Sequence, residues 1–130
     1  MSESINFKRE IQATVDEAIE RVTQALKQEG FGVLTRIDMH AKFKEKLGKD
    51  VLPVVILGAC NPQLAFEAYS RAPDVTSLLP CNAVVRDLGQ GRVSVELAKP
   101  TALMEVLGDA ALVELAQHAD QKLENALDRV

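Results

Sequence analysis

The sequence predicts an α+β fold: one antiparallel sheet of about five strands with its helices packed on one face. Three observations carry that expectation. Period-two alternation recurs near both ends of the chain, around Phe7 and around Val95. Apolar stripes at helical spacing follow the first strand and close the chain. The order is strand, helix, then mostly strands, then helix, and a Gly-rich hairpin joins the last two strands, an arrangement that favours antiparallel pairing.

The first strand is expected over residues 5–13, with Ile5, Phe7 and Ile11 on one face and Asn6, Lys8, Glu10 and Gln12 on the other; Arg9 interrupts the apolar face. Thr14 and Glu17 have the Thr-x-x-Glu spacing of a capping box. Val15, Ala18, Ile19, Val22, Ala25 and Leu26 then form the buried stripe of a helix that Gly30 ends. A second strand follows over residues 31–39, with Val33, Thr35, Ile37 and Met39 alternating with Leu34, Arg36 and Asp38. Residues 40–47 have short-helix spacing, with Phe43 and Leu47 apolar.

Residues 52–59 are apolar on both faces, the mark of a central strand, so Pro53 belongs at its very start. Asn61-Pro62 reads as an N-cap followed by Pro at the first helical position. The helix it opens extends to Arg71, with Leu64, Ala65, Ala68 and Tyr69 inward, and Ala72-Pro73 stops it. Residues 75–79 are a connector and 81–88 a fourth strand. Gly89-Gln90-Gly91 is a tight turn, and residues 92–98 a fifth strand with Val93, Val95 and Leu97 inward. Residues 100–107 make a short helix ended by Gly108, and residues 110–130 a long closing one.

The 130 residues fit a single domain, 1–130, with room for a core. Net charge is −4 with a pI of about 5.2, which argues against a duplex-binding module and hence against a nucleic-acid partner. No apolar run is long enough to span a bilayer, so no membrane partner is expected. Met1-Ser2-Glu3-Ser4 has neither the basic region nor the apolar segment of a secretory signal. Two cysteines in such a chain point to free thiols in a reducing cytoplasm. The polar outer rows of the first and fifth strands leave that sheet face wet or covered by a second copy, and a homodimer is expected.

Chemistry-bearing side chains concentrate at two Cys-Asn steps, Cys60-Asn61 and Cys81-Asn82, both at strand boundaries. If their strands are antiparallel neighbours, thiols and amides gather at one edge of the sheet. Cys60 precedes a helix N-cap, where free N–H groups and the helix dipole would favour a thiolate or hold a small anionic ligand. The plainer reading is an inert thiol filling the end of a central strand. Cys81 is either a resolving partner for Cys60 or a second core thiol. Asn61 caps a helix, Asn82 satisfies nearby backbone, and together they would orient a polar ligand.

Asp38 and His40 have strand spacing suited to an acid/base pair, or to a solvated strand end. Neither His40 nor His118 has metal-type spacing with a cysteine, and two thiolates do not complete a zinc site, so no metal or other cofactor is expected. Phosphate-loop, dinucleotide and nucleophile-elbow motifs are missing from the sequence.

Glu29-Gly30-Phe31-Gly32-Val33-Leu34-Thr35, Ile37-Asp38, Lys44-Glu45-Lys46-Leu47-Gly48, Ile56-Leu57-Gly58-Ala59-Cys60-Asn61-Pro62 and Leu79-Pro80-Cys81-Asn82 read together. They resemble the domain of unknown function 302 family over nearly the whole chain. The resemblance implies a small α+β domain of TATA-box-binding-protein-like topology and implies no activity; the topology does not import DNA binding. Arg36 departs from the acidic residue expected after Leu-Thr in that family.

These readings converge on a non-catalytic ligand-binding or interaction domain with a pocket at Cys60, Asn61, Cys81 and Asn82. The alternative is a thiol-based redox or sulfur-handling protein using Cys60 with Cys81. A third reading is a hydrolase or isomerase using Asp38 and His40.

Overall fold

The computed structural model describes residues 5–130; the reading of residues 1–4 lies outside the described residues. Five strands, β1 (Asn6–Gln12), β2 (Gly32–Asp38), β3 (Val54–Cys60), β4 (Cys81–Gly89) and β5 (Arg92–Ala98), form one antiparallel sheet in the order β1-β5-β4-β3-β2. The helices are α1 (Val15–Gln28), α2 (Met39–Leu47), α3 (Pro62–Arg71), α4 (Pro100–Met104) and α5 (Ala110–Asp128). Short 3-10 segments at Pro73–Leu78 and Glu105–Leu107 follow α3 and α4.

Local chemistry explains the element boundaries. Thr14 accepts from the Glu17 N–H and the Glu17 carboxylate accepts from the Thr14 N–H, each at 3.1 Å, so the expected capping box starts α1. The β4–β5 hairpin turns through Gln90 (φ 58°) and Gly91 (φ 77°), the two left-handed residues of a type I′ turn. Asp109 caps α5 by accepting from the Ala111 N–H at 2.9 Å.

Burial drives the packing. Val22 and Leu26 of α1 and Leu123 and Ala126 of α5 cover Val55, Leu57, Ala83, Val85, Val93, Val95 and Leu97 on one sheet face. Each large side chain buried there is worth about 1.5–3 kcal/mol relative to exposure. A smaller cluster of Ala68, Val75, Met104, Leu112 and Ala116 sits between α3, α4 and α5. Arg9, the apparent interruption in the first strand, donates to the carbonyls of Leu127 and Asp128 at 3.0 and 2.8 Å. It thus ties β1 to the C-terminal, electronegative end of α5.

Four expectations need correction. A bulge between Val33 and Thr35 puts Val33, opposite Ala59, on the helix-bearing side and Thr35 and Ile37, opposite Gly58 and Ile56, on the other. The extra residue, Leu34, breaks the single alternating row read from the sequence. Tyr69 is exposed because α3 turns only its Leu64, Ala65 and Ala68 side inward, and Phe66 on the same helix is 70% exposed. Pro53 precedes β3 instead of opening it, and its carbonyl accepts from the Asp87 N–H at 2.8 Å. Ser94 and Glu96 occupy the outer face as expected, yet both are buried. Arg86 folds over Glu96 with contacts of 2.6 and 2.7 Å, and the Ser94 hydroxyl donates to the same carboxylate at 3.1 Å.

Candidate functional site

The ends of β3 and β4 meet as the two Cys-Asn steps predict. Cys81, the first residue of β4, stands opposite Ala59, so Cys60 is one residue past that register position. Both cysteines are free and half-buried. Asn61 caps α3: its side-chain oxygen accepts from the Leu64 N–H at 3.2 Å. Its amide also donates to the Glu29 carbonyl at 3.4 Å, joining the start of α3 to the end of α1. Gly30 (φ +83°) accommodates that approach, since a Cβ there would lie 3.1 Å from the Asn61 amide nitrogen. The Glu29 side chain is in turn held by Asn125 and Arg129 of the α5 end.

Cys60, Asn61 and Cys81 border one cavity of about 50 Å³. Ala59 and Phe31 close its sheet end, and Leu64, Ala65 and Ala68 of α3 form one wall. Pro100 and Met104 of α4 face Leu112, Leu115 and Ala116 of α5 across it. No residue of the lining carries a charge, and all are buried or half-buried. Asn82 is not among them. It is exposed and lies opposite Gly58, because successive strand residues point to opposite faces. Sequence reasoning missed Met104, Leu112 and Ala116, which reach the cavity only through tertiary packing; the lone weak signal is a Met in a short Pro-started segment.

The electrostatics differ from the sequence expectation. Burial pushes the Cys60 thiol above its ordinary range. Burial pushes Cys81 up to about 11, reinforced by Cys60 and Asp120. Both shifts favour the protonated thiol over the thiolate at neutral pH.

Asp38 and His40 border a separate open hollow. Arg36 bonds Asp38 at 2.9 Å and lowers its carboxyl below the usual range. The His40 ring accepts from the Val54 N–H through Nδ1 at 3.1 Å. Both groups are thus engaged in local structural bonds. Among the described residues, no group of three or more His, Cys, Asp or Glu is placed to hold a metal ion, and no helix is long and apolar enough to cross a membrane.

Fold and site together define a small α+β domain with one antiparallel five-stranded sheet and a cavity at the β3–β4 strand ends. The chain belongs to the family described as domain of unknown function DUF302, whose model matches residues 7–130. It is similar to the uncharacterized conserved protein DUF302 from Bacillus stearothermophilus, known from a crystal structure. The two are 37% identical with a TM-score of 0.89, covering 98% of each chain. No curated protein matches the chain.

Proposed function

We propose that this chain is a non-catalytic binding domain whose site is the cavity bordered by Cys60, Asn61 and Cys81. The observation that carries the reading is the lining: wholly uncharged, almost wholly apolar, and interrupted by two thiols and one amide at the strand ends. Such walls suit an uncharged apolar group better than an anion, because no cation stands ready to replace lost hydration. The α3 N-terminus remains the place where a polar end of the same ligand would lie.

Size limits the ligand. A cavity of about 50 Å³ holds roughly three to five water-sized bodies. At the ceiling of about −1.5 kcal/mol per heavy atom, a fragment of that size reaches micromolar affinity at best. The cavity therefore takes a small molecule or the apolar tip of a larger one.

Xenon is the direct test. Methyl resonances of Leu112, Leu115 and Ala116 should shift saturably with xenon pressure, and Ala116→Val should abolish the shift. Weak shifts spread evenly over surface methyls, unaffected by Ala116→Val, would refute the site.

A further inference from the structure

We propose that this cavity holds one soft univalent metal ion, of the copper(I) class, between the sulfur atoms of Cys60, Cys81 and Met104. The inference uses the same cavity but not its apolar ligand, so the two readings fail separately.

The chain has two cysteines and three methionines, and both cysteines and one methionine border this single cavity. Cys81 opens β4 opposite Ala59, and Cys60 is the next residue along β3, which sets their Cα atoms roughly 6 Å apart. Cys60 is also the last residue of β3, where the pleat gives way to the Asn61 cap, and its thiol acts on that of Cys81. Met104 arrives from α4. It lies three residues after Thr101, on the same side of the helix. The Thr101 hydroxyl donates to Asp120 at 2.7 Å, and that carboxylate acts in turn on the Cys81 thiol. The methionine side of α4 therefore faces Cys81, and the unbranched thioether has the rotamer freedom to reach it.

The donor set selects the ion. Two thiolates fall short of the four ligands of a structural zinc site. No cluster of His, Cys, Asp or Glu completes them among the described residues. Thiolate and thioether donors instead favour copper(I), a soft ion. Charge points the same way. A univalent ion beside one thiolate is a neutral pair, which uncharged walls tolerate better than a bare thiolate. The second thiolate leaves one negative charge, and Cys60 sets it beside the N-terminal, electropositive end of α3. Each thiol gives its proton to solvent as its sulfur–metal bond forms; the ion keeps its charge and no electron moves. Both cysteines are half-buried on a partly open cavity, so the ion has access without displacing a helix.

Copper(I) and silver(I) test the site. Under anaerobic conditions at fixed pH, copper(I) is titrated into the reduced protein against the chelator bathocuproine disulfonate. One ion should bind per chain. Cys60→Ser and Cys81→Ser should each weaken binding more than about 100-fold, beyond the loss typical of a residue that only supports a ligand. Met104→Leu keeps the side-chain volume and should weaken binding about tenfold. Silver(I) supplies a readout on the unsubstituted protein. One equivalent should shift the Met104 methyl resonance and leave that of Met39, outside the lining, in place.

One ion shared by two chains, unchanged affinity in any of the three variants, or a Met104 methyl that silver leaves unmoved would overturn the site. So would zinc binding as tightly as copper(I). Xenon failing to enter would refute the apolar-ligand reading while leaving these readouts intact.

Discussion

Gly58 of β3 lies directly under Thr35 of β2: a Cβ on Gly58 would stand 2.2 Å from the Thr35 hydroxyl oxygen and 2.8 Å from Pro80 Cγ. The glycine in Gly-Ala-Cys-Asn-Pro is therefore a requirement of close packing on the outer sheet face. Gly58→Ala should destabilise the fold by about 1–3 kcal/mol through overpacking. Pairing it with Thr35→Ala should recover part of the loss, since the two sites share a contact. Urea unfolding of the three variants measures both effects, and strictly additive losses would contradict the contact.

The thiols give a pH prediction. Burial raises both, Cys81 to about 11, so folding favours their protonated forms. A group whose folded pKa lies above its unfolded value contributes stability below the unfolded value and loses it as pH rises through the folded one. Stability should therefore fall between about pH 8.5 and 11, and Cys81→Ala should flatten that slope. Iodoacetamide rates against pH give the direct measurement. An alkylation pKa below 8 for either cysteine would favour the thiol-redox reading over ours.

Glu96 shows the opposite sign. Its burial alone would raise the carboxyl, but the bonds from Arg86 and Ser94 and the charge of Arg86 outweigh it, leaving the pKa lowered. Its contribution is present above the ordinary glutamate value and lost as pH falls through the lower folded one. Glu96→Gln should lessen acid destabilisation below about pH 4.3. Arg86→Ala should cost about 1–2 kcal/mol at pH 7, because it leaves a carboxylate only 6% exposed without its cation. The half-exposure of Arg86 keeps the figure below that of a fully buried pair. Chemical denaturation at pH 3, 5 and 7 separates the two effects.

Most of the fold is legible in the sequence because each local signal agrees with its neighbours. Thr14 and Glu17 box the first helix, Asn61-Pro62 opens α3, and Val93, Val95 and Leu97 alternate without interruption. The bulge at Leu34 was hidden because Val33, Thr35 and Ile37 alternate equally well on paper; only the pairing with Ala59 and Gly58 reveals the change of face. At the site, Cys60, Asn61 and Cys81 were legible as strand-end residues. Asn82 belongs with the opposite face by the pleat alone, since it is adjacent to Cys81 on one strand. Met104, Leu112 and Ala116 join from segments far along the chain, and no periodicity specifies which side of α4 and α5 closes over those strand ends.

The cavity itself has an energetic signature apart from any ligand. Its apolar walls lack partner atoms across the gap, so dispersion contacts are lost there. Ala116, 4% exposed on α5, points its methyl at that space. Ala116→Val adds two methyl groups against a cavity of about 50 Å³, a match that fills the void without forcing α4 outward. The gain from filling, about 1 kcal/mol or slightly more, is opposed by several tenths of a kcal/mol of lower helix propensity. Thermal unfolding should therefore show a net stabilisation of up to about 1 kcal/mol, while Ala116→Phe, too large for the space, should destabilise by about 1–3 kcal/mol. If both substitutions destabilise alike, α5 already packs to native density at this point and the cavity is not a feature of the folded protein in solution.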